Sequence, residues 1–247
     1  MKVQRPPKIK AFLLSAGLGT RLRPLTLDIP KCLVPVQSEP ILLKWLRALR
    51  AIDCESILIN THYLADKVDQ YIKSLPREYS QMISVSYEPQ LLGTAGSLIY
   101  NRDFFDCDIG LLIHVDNLMV EGLQPFLDAH MNRPSECDIT MLTFETNDPE
   151  SCGIVRLNNN SVITDFFEKS HEDHGCLANA AVFAFNPNFL NSLLSISDSF
   201  VDFSKDVIPH FLNKIYAYKT TMPFVDIGTP DRLNYANSVP ISNPTQF

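Results

Sequence analysis

The chain has 247 residues, is 45% hydrophobic and 20% charged, and carries a formal net charge of −7. That apolar share excludes a disordered chain, and the acidic balance argues against a nucleic-acid-coating protein. No apolar run approaches the roughly 20 residues of a bilayer span, so no membrane helix is expected.

Met1–Lys10 has cations but no apolar stretch that would make it a secretory signal. Six cysteines without CxxC spacing read as reduced thiols, so a cytoplasmic protein without a zinc site is expected. The apolar run Lys8–Leu14 predicts a first strand ending at Ser15-Ala16-Gly17. Apolar residues spaced by three and four predict a helix over Glu39–Ile52. Then follow strand Ser56–Asn60, helix Leu64–Ser74, strand Ile83–Glu88, a helix near Ala95–Tyr100, strand Ile109–Val115 and helix Leu123–Met131. Buried strands alternating with amphipathic helices predict an α/β fold with a mainly parallel sheet. Such sheets bind ligands at the carboxyl ends of their strands, here Ser15–Gly19, Glu88–Gly93 and Asp116. The second half is richer in strands: Asp138–Phe144, Gly153–Leu157, Val162–Glu168 and Leu177–Phe185. Helices are expected near Pro187–Leu194, Ser204–Leu212 and Pro230–Asn237. One domain over 1–247 is expected, with halves at 8–136 and 137–238 and a tail at 239–247.

Only 9 glycines occur, about half the ~7% of an average chain. Gly17, Gly19, Gly93, Gly96, Gly153 and Gly228 fall in four short segments that also carry polar or charged residues, which suggests tight turns or close approach to a ligand. The strongest segment runs from Leu14 through Gly17-Leu18-Gly19-Thr20-Arg21-Leu22-Arg23-Pro24-Leu25-Thr26 to Pro30-Lys31. Following a strand, its backbone N–H groups can form an anion nest. Leu22 replaces the third glycine of a dinucleotide fingerprint, and there is no Walker A sequence. Arg21 and Lys31 bring two cations to the loop, which suits a triphosphate whose β- and γ-phosphates leave.

These residues resemble the signature of the sugar-1-phosphate nucleotidyltransferases. The resemblance continues in order through Leu92-Gly93-Thr94-Ala95-Gly96, Asp116, Gly153-Ile154-Val155, Phe167-Glu168-Lys169, Asn179-Ala180-Ala181 and Asp226-Ile227-Gly228-Thr229-Pro230, covering roughly residues 8–238. It implies a Rossmann-like mixed sheet flanked by helices, with a nucleotide-binding half (8–136) and a β-rich sugar-phosphate-binding half (137–238). It also implies attack of a sugar-1-phosphate oxygen on the α-phosphorus of a nucleoside triphosphate, with pyrophosphate leaving. The nucleophile arrives ionised, so catalysis reduces to positioning and charge neutralisation. Asp116 and Asp226 are the implied Mg²⁺ ligands, few in number as Mg²⁺ prefers. Arg21 is implied to hold the leaving phosphates, Lys31 the α-phosphate and Lys169 the sugar phosphate, completing the catalytic set with the two aspartates. Ala16, Gly17, Gly19, Thr20, Glu88, Gly93 and Thr94 are implied on the nucleotide side, and Gly153, Glu168, Lys169 and Asn179 on the sugar side.

Guanine offers two adjacent donors that an acceptor-only carboxylate matches bidentately. Glu88, five residues before Gly93, therefore favours GTP, and the following Leu-Gly-Thr-Ala-Gly is similar to mannose-1-phosphate guanylyltransferases. Gln90 keeps uridylyl or thymidylyl transfer open, and a non-catalytic nucleotide-sugar-binding subunit is the competing class. Val115 stands where relatives commonly have glycine, so the geometry around Asp116 is expected to differ. The segment after Asn237 is short, so no carboxyl-terminal β-helix is expected, and the protein is read as a monomer or homodimer. His62, His114, His130 and His210 are read as packed or exposed, and Trp45 and Phe104-Phe105 as core.

Overall fold

The computed structural model describes residues 5–240. The first half runs β1 (Ile9–Leu14), the ribbon β2 (Pro35–Val36) and β3 (Glu39–Pro40), α1 (Ile41–Ala51), β4 (Ser56–Thr61), α2 (Ala65–Ser74), the single turn α3 (Arg77–Ser80), β5 (Ile83–Tyr87), α4 (Gly93–Tyr100), β6 (Ile109–His114), β7 (Asn117–Met119) and α5 (Leu123–Met131). The second half adds β8 (Ile139–Glu145), β9 (Gly153–Leu157), β10 (Ile163–Glu168), β11 (Leu177–Phe185), α6 (Asn188–Ile196), β12 (Ile215–Lys219), β13 (Phe224–Asp226) and α7 (Pro230–Ser238).

Nine strands form one mixed sheet, whose main path is β10-β9-β11-β6-β1-β4-β5. β1 lies parallel to β4 and β6, and β4 parallel to β5. β11 runs antiparallel to β6 along Val182–Phe185, and its other edge pairs with β8, which in turn carries β12. The alternation of side chains in each strand divides the apolar residues between two cores. Ala11 and Leu13 of β1, with Leu111 and Ile113 of β6, face the core closed by α1, α2 and α5. Phe12 and Leu112 face the other core, closed by α4, α6 and the segment around Phe203–Phe211. In α1 the residues Leu42, Trp45, Leu46 and Leu49 are all buried, as their spacing predicts. Burying a side chain of this size contributes about 1.5–3 kcal/mol.

The helix expected over Ser204–Leu212 is instead a π-turn, Phe203–Val207, followed by a 3₁₀ turn, Ile208–Phe211. Pro209 has no N–H to donate and its ring crowds the preceding turn, which disfavours a regular α ladder there. Five strands, β2, β3, β7, β12 and β13, lie where the apolar pattern predicts none, and β3 takes the first two residues of the helix expected from Glu39. Val239 is buried and its carbonyl accepts from Gln37 Nε2 at 2.5 Å, while residues 241–247 of the expected tail lie outside the described residues. Among the described residues no helix is long and apolar enough to cross a membrane, and all six cysteines are free.

His130 of α5 is buried, with Nδ1 2.9 Å from Thr140 Oγ1. Burial, aided by the nearby Arg133 cation, pushes its pKa down to about 3. The unfolded chain therefore binds a proton that the folded one refuses, so this contribution to stability is present above about pH 6.5 and is lost as the pH falls towards 3. Acidification from pH 7 to 5 is expected to cost up to about 2 kcal/mol through this group. His130→Asn, which keeps a hydrogen-bonding atom near the Nδ1 position, should flatten that slope in urea unfolding series.

Candidate active site

The loop after β1 is folded back on itself. Gly19 has φ 63°, and a Cβ there would meet Thr26 Cγ2 at 2.9 Å; the buried Thr26 hydroxyl donates to the Gly19 carbonyl at 2.6 Å. Gly17 faces open space, with nothing within 4 Å of where a Cβ would stand. Leu22 is buried and anchors the 3₁₀ turn Thr20–Leu22, from which Arg21 extends into solvent. Among the described residues Arg21 makes no ion pair.

The carboxylates converge through the short antiparallel pair β7–β13, in which Asp226 lies opposite Asn117 and Val225 opposite Leu118. The Ile227 amide then donates to the Asp116 carbonyl at 2.9 Å. Trp45 Nε1 donates to the carbonyls on either side of Asp116, Val115 at 3.1 Å and Asn117 at 2.9 Å. Asn117 Nδ2 ties the same turn to the carbonyls of His114 and Ala180 at 3.2 and 3.1 Å. These bonds shape the turn around Asp116.

Each carboxylate has its own cation. Asp116 Oδ2 pairs with Lys31 Nζ, a half-buried contact with side chains 21% and 14% exposed. Burial alone would raise the Asp116 pKa, but Lys31 and His114 outweigh it and hold the carboxyl below its ordinary range. Asp226 Oδ1 accepts from the Gly228 amide at 2.7 Å, and Oδ2 from Arg232 Nη1 at 3.3 Å. A Cβ on Gly228 would lie 2.7 Å from Arg21 Nη2 and 2.8 Å from Asp226 Oδ1, so the glycine lets the guanidinium and the carboxylate flank one small volume.

Two clefts meet here. One of about 270 Å³ is lined by Ser15, Ala16, Gly17, Asn60, Glu88, Gly93 and Thr94. The other, about 970 Å³, takes in Arg21, Gly153, Glu168, Lys169, Asn179 and Asp226. Lys31 lines the smaller cleft, and His114 and Asp116 line both. His114, read from sequence as packed or exposed, thus stands at their boundary; burial lowers its pKa, with the Asp116 carboxylate opposing. Only its position two residues before Asp116 on a buried strand could have signalled this.

Glu88 departs from expectation. It is 1% exposed, Oε1 accepts from Asn60 Nδ2 at 2.9 Å and Ser97 Oγ at 2.5 Å, and Oε2 accepts from the Leu92 amide at 3.3 Å. A carboxylate has about four lone-pair sites, so with three in use Glu88 is not available for the bidentate base contact read from sequence. It organises the wall of the small cleft instead. Asn60, missed in the sequence, completes that wall by accepting from the Ser15 amide at 2.6 Å. Gly93 has φ 77° and packs on the Val201 carbonyl, while the Thr94 hydroxyl accepts from the Phe203 amide at 2.7 Å.

On the larger cleft, a Cβ at Gly153 would lie 2.5 Å from Phe166 Cζ and 2.8 Å from Glu168 Oε2. Burial lifts the Glu168 carboxyl above the ordinary range, with the Lys169 cation opposing it. Lys169 Nζ is 3.8 Å from Glu168 Oε1. Asn179 Oδ1 accepts from the Ala181 amide at 2.8 Å, across a bulge where Ala181 has φ 52°, which leaves Nδ2 to donate elsewhere. Arg232, absent from the sequence reading, also lines this cleft. His171 and His174 take no part: the first pairs with Glu150 and the second stacks on Phe167 at 3.6 Å.

Among the described residues no group of three or more His, Cys, Asp or Glu side chains is arranged to hold a metal ion. Two neighbouring carboxylates that offer only oxygen suit a hard divalent ion completed by water and phosphate oxygens, as Mg²⁺ prefers.

Acidic residues at two strand ends thus stand with a basic glycine loop around the two clefts. Residues 10–240 match the nucleotidyl transferase family, to which this chain belongs. It is 29% identical over 225 residues to the mannose-1-phosphate guanylyltransferase catalytic subunit beta of Drosophila melanogaster, covering 90% of this chain and 60% of that protein. It is 30% identical over 227 residues to the mannose-1-phosphate guanyltransferase of Schizosaccharomyces pombe, covering 90% and 61%. The chain therefore spans about 60% of the length of these relatives. In fold it is similar to a Bacillus anthracis protein assigned as a glucose-1-phosphate thymidylyltransferase, with TM-score 0.82, 20% identity and coverage of 95% and 96%. HddC from Yersinia pseudotuberculosis superimposes with TM-score 0.76, 23% identity and coverage of 92% and 97%.

The glycine environments make a paired prediction. Gly153→Ala should destabilise the protein by about 1–3 kcal/mol through overpacking against Phe166 and Glu168, whereas Gly17→Ala should change stability by no more than ~0.5 kcal/mol. Urea unfolding of both variants checks this.

Proposed function

We propose that this chain joins a nucleoside triphosphate to a sugar-1-phosphate and releases pyrophosphate. The observation that carries the reading is the convergence of Asp116 and Asp226, with Lys31 and Arg21 beside them, where the two clefts meet. The nucleotide occupies the smaller cleft and the sugar phosphate the larger. A phosphate oxygen of the sugar-1-phosphate forms a bond to the α-phosphorus as the bond to the bridging β-phosphate oxygen breaks. The open face of Gly17 admits the phosphates, and Arg21 holds the pair that leaves. Lys31 neutralises charge at the α-phosphate, and Lys169 steers the incoming sugar phosphate. Glu168 accepts from sugar hydroxyls, and Asn179 Nδ2 donates to them. Asp116 and Asp226 would hold the Mg²⁺, which when bound supplies charge neutralisation between the two phosphate groups.

For the finer substrates we favour GTP and mannose-1-phosphate, a reading supported by the names of the relatives. The three protein hydrogen bonds on Glu88 remove the carboxylate–guanine argument, which leaves uridylyl or thymidylyl transfer as the second reading. Incubation with Mg²⁺, each of the four triphosphates and a panel of sugar-1-phosphates, read as pyrophosphate release, decides between them; no release from any pair overturns the function.

Asp116→Asn and Asp226→Asn should each lower kcat by at least ~10²-fold, as when preorganised transition-state electrostatics are removed. Near-wild-type rates in both would place the reaction elsewhere. Ionised Glu168 is the stronger, charge-assisted acceptor for sugar hydroxyls, and protonation weakens it. The KM for sugar-1-phosphate should therefore rise as the pH falls through its raised pKa, earlier than an ordinary glutamate would dictate. Glu168→Gln should remove that limb of the profile.

A further inference from the structure

Arg232 is a cation of the larger cleft to which the proposed reaction gives no part. It begins from a well-made helix start: Thr229 accepts from its amide at 3.4 Å and Pro230 takes the first helical position of α7. That start aims the guanidinium back over β13. Its fork is divided between two structures. Nη1 donates to Asp226 Oδ2 at 3.3 Å, while Nη2 donates to Asp148 Oδ2 at 2.7 Å and to Ser151 Oγ. The side chain is 26% exposed and its two carboxylate partners differ sharply, Asp226 at 28% and Asp148 at 60%. The buried contact is thus with the proposed metal ligand, and the exposed contact is with the loop that leads through Cys152 into Gly153.

We infer that Arg232 is a positioning residue with two linked tasks. It neutralises and orients Asp226 when no divalent ion is bound, competing with the ion for Oδ2, because Oδ1 is already held by the Gly228 amide. With its other arm it pins the Asp148–Ser151 turn against α7, which holds the sugar-side loop closed. A guanidinium suits both tasks at once because its planar fork can serve two acceptors, whereas an ammonium is a single point charge. Lys31 stands in the same relation to Asp116, so each carboxylate carries a resident counter-charge. The inference rests on the proposed function only in taking Asp226 as a metal ligand.

One measurement of metal affinity and one of a labelling rate, both on the substrate-free protein, test it without any turnover. In Mn²⁺ titrations read by electron paramagnetic resonance, Arg232→Met should bind Mn²⁺ at least about threefold more tightly than wild type, since a competing cation has been removed at close range. Alkylation of Cys152 by iodoacetamide, followed by peptide mass spectrometry, should accelerate in the same variant as the turn is released. Arg232→Lys keeps the charge without the fork, so its Mn²⁺ affinity should stay near wild type while Cys152 still labels faster. Asp148→Asn should speed labelling and leave Mn²⁺ affinity unchanged. Mn²⁺ binding in Arg232→Met within twofold of wild type, or weaker, overturns the inference, as does an unaltered Cys152 labelling rate. A wild-type protein that releases no pyrophosphate but shows the Mn²⁺ shift removes the proposed function and leaves this inference standing. An active wild type with an unshifted variant does the reverse.

Discussion

The site depends on a ladder three residues long. β7 continues directly from the turn at the end of β6, and β13 closes on it so that Asp226 faces Asn117. Two acidic side chains from distant parts of the chain then line one cleft. Lys31 pairs with the first and Arg232 with the second, so neither carboxylate is left without a counter-charge. Trp45 fixes the turn between them with an indole N–H shared by two carbonyls. The tryptophan is therefore core by burial and part of the site by its hydrogen bonds.

The scarcity of glycine becomes intelligible at the level of contacts. Gly19 and Gly93 adopt positive φ and press against Thr26 and Val201. Gly153 leaves space for a phenyl ring and a carboxylate, and Gly228 does the same for Arg21 and Asp226. Gly17 alone among these faces an open cleft. The same residue type thus allows close packing at four positions and leaves a cleft wall open at one, a distinction that composition cannot draw.

The fold was largely legible because strand burial and helix spacing leave a strong periodic trace, as in Phe12 set against Ala11 and Leu13, or Leu42 through Leu49. What escaped was short or irregular. Three-residue strands such as β7 and β13 have no period to detect, and the turns around Pro209 follow backbone sterics that apolar spacing does not record. In the site, motif residues were legible because they carry unusual chemistry in a fixed order. Their partners were not: Asn60 and Ser97 occupy Glu88 through contacts between separate elements, and Arg232 meets Asp148 across a long stretch of sequence. A carboxylate in a promising position says nothing, by itself, about which donors already hold it.

β11 belongs by sequence to the second half, yet its Val182–Phe185 stretch completes the edge of β6 from the first. The boundary near residue 137 consequently offers no seam for cutting. A fragment ending there would expose the backbone edge of β6, a largely apolar strand, an invitation to intermolecular pairing. Any chimera that swaps substrate preference between relatives must therefore transplant loops on an intact sheet.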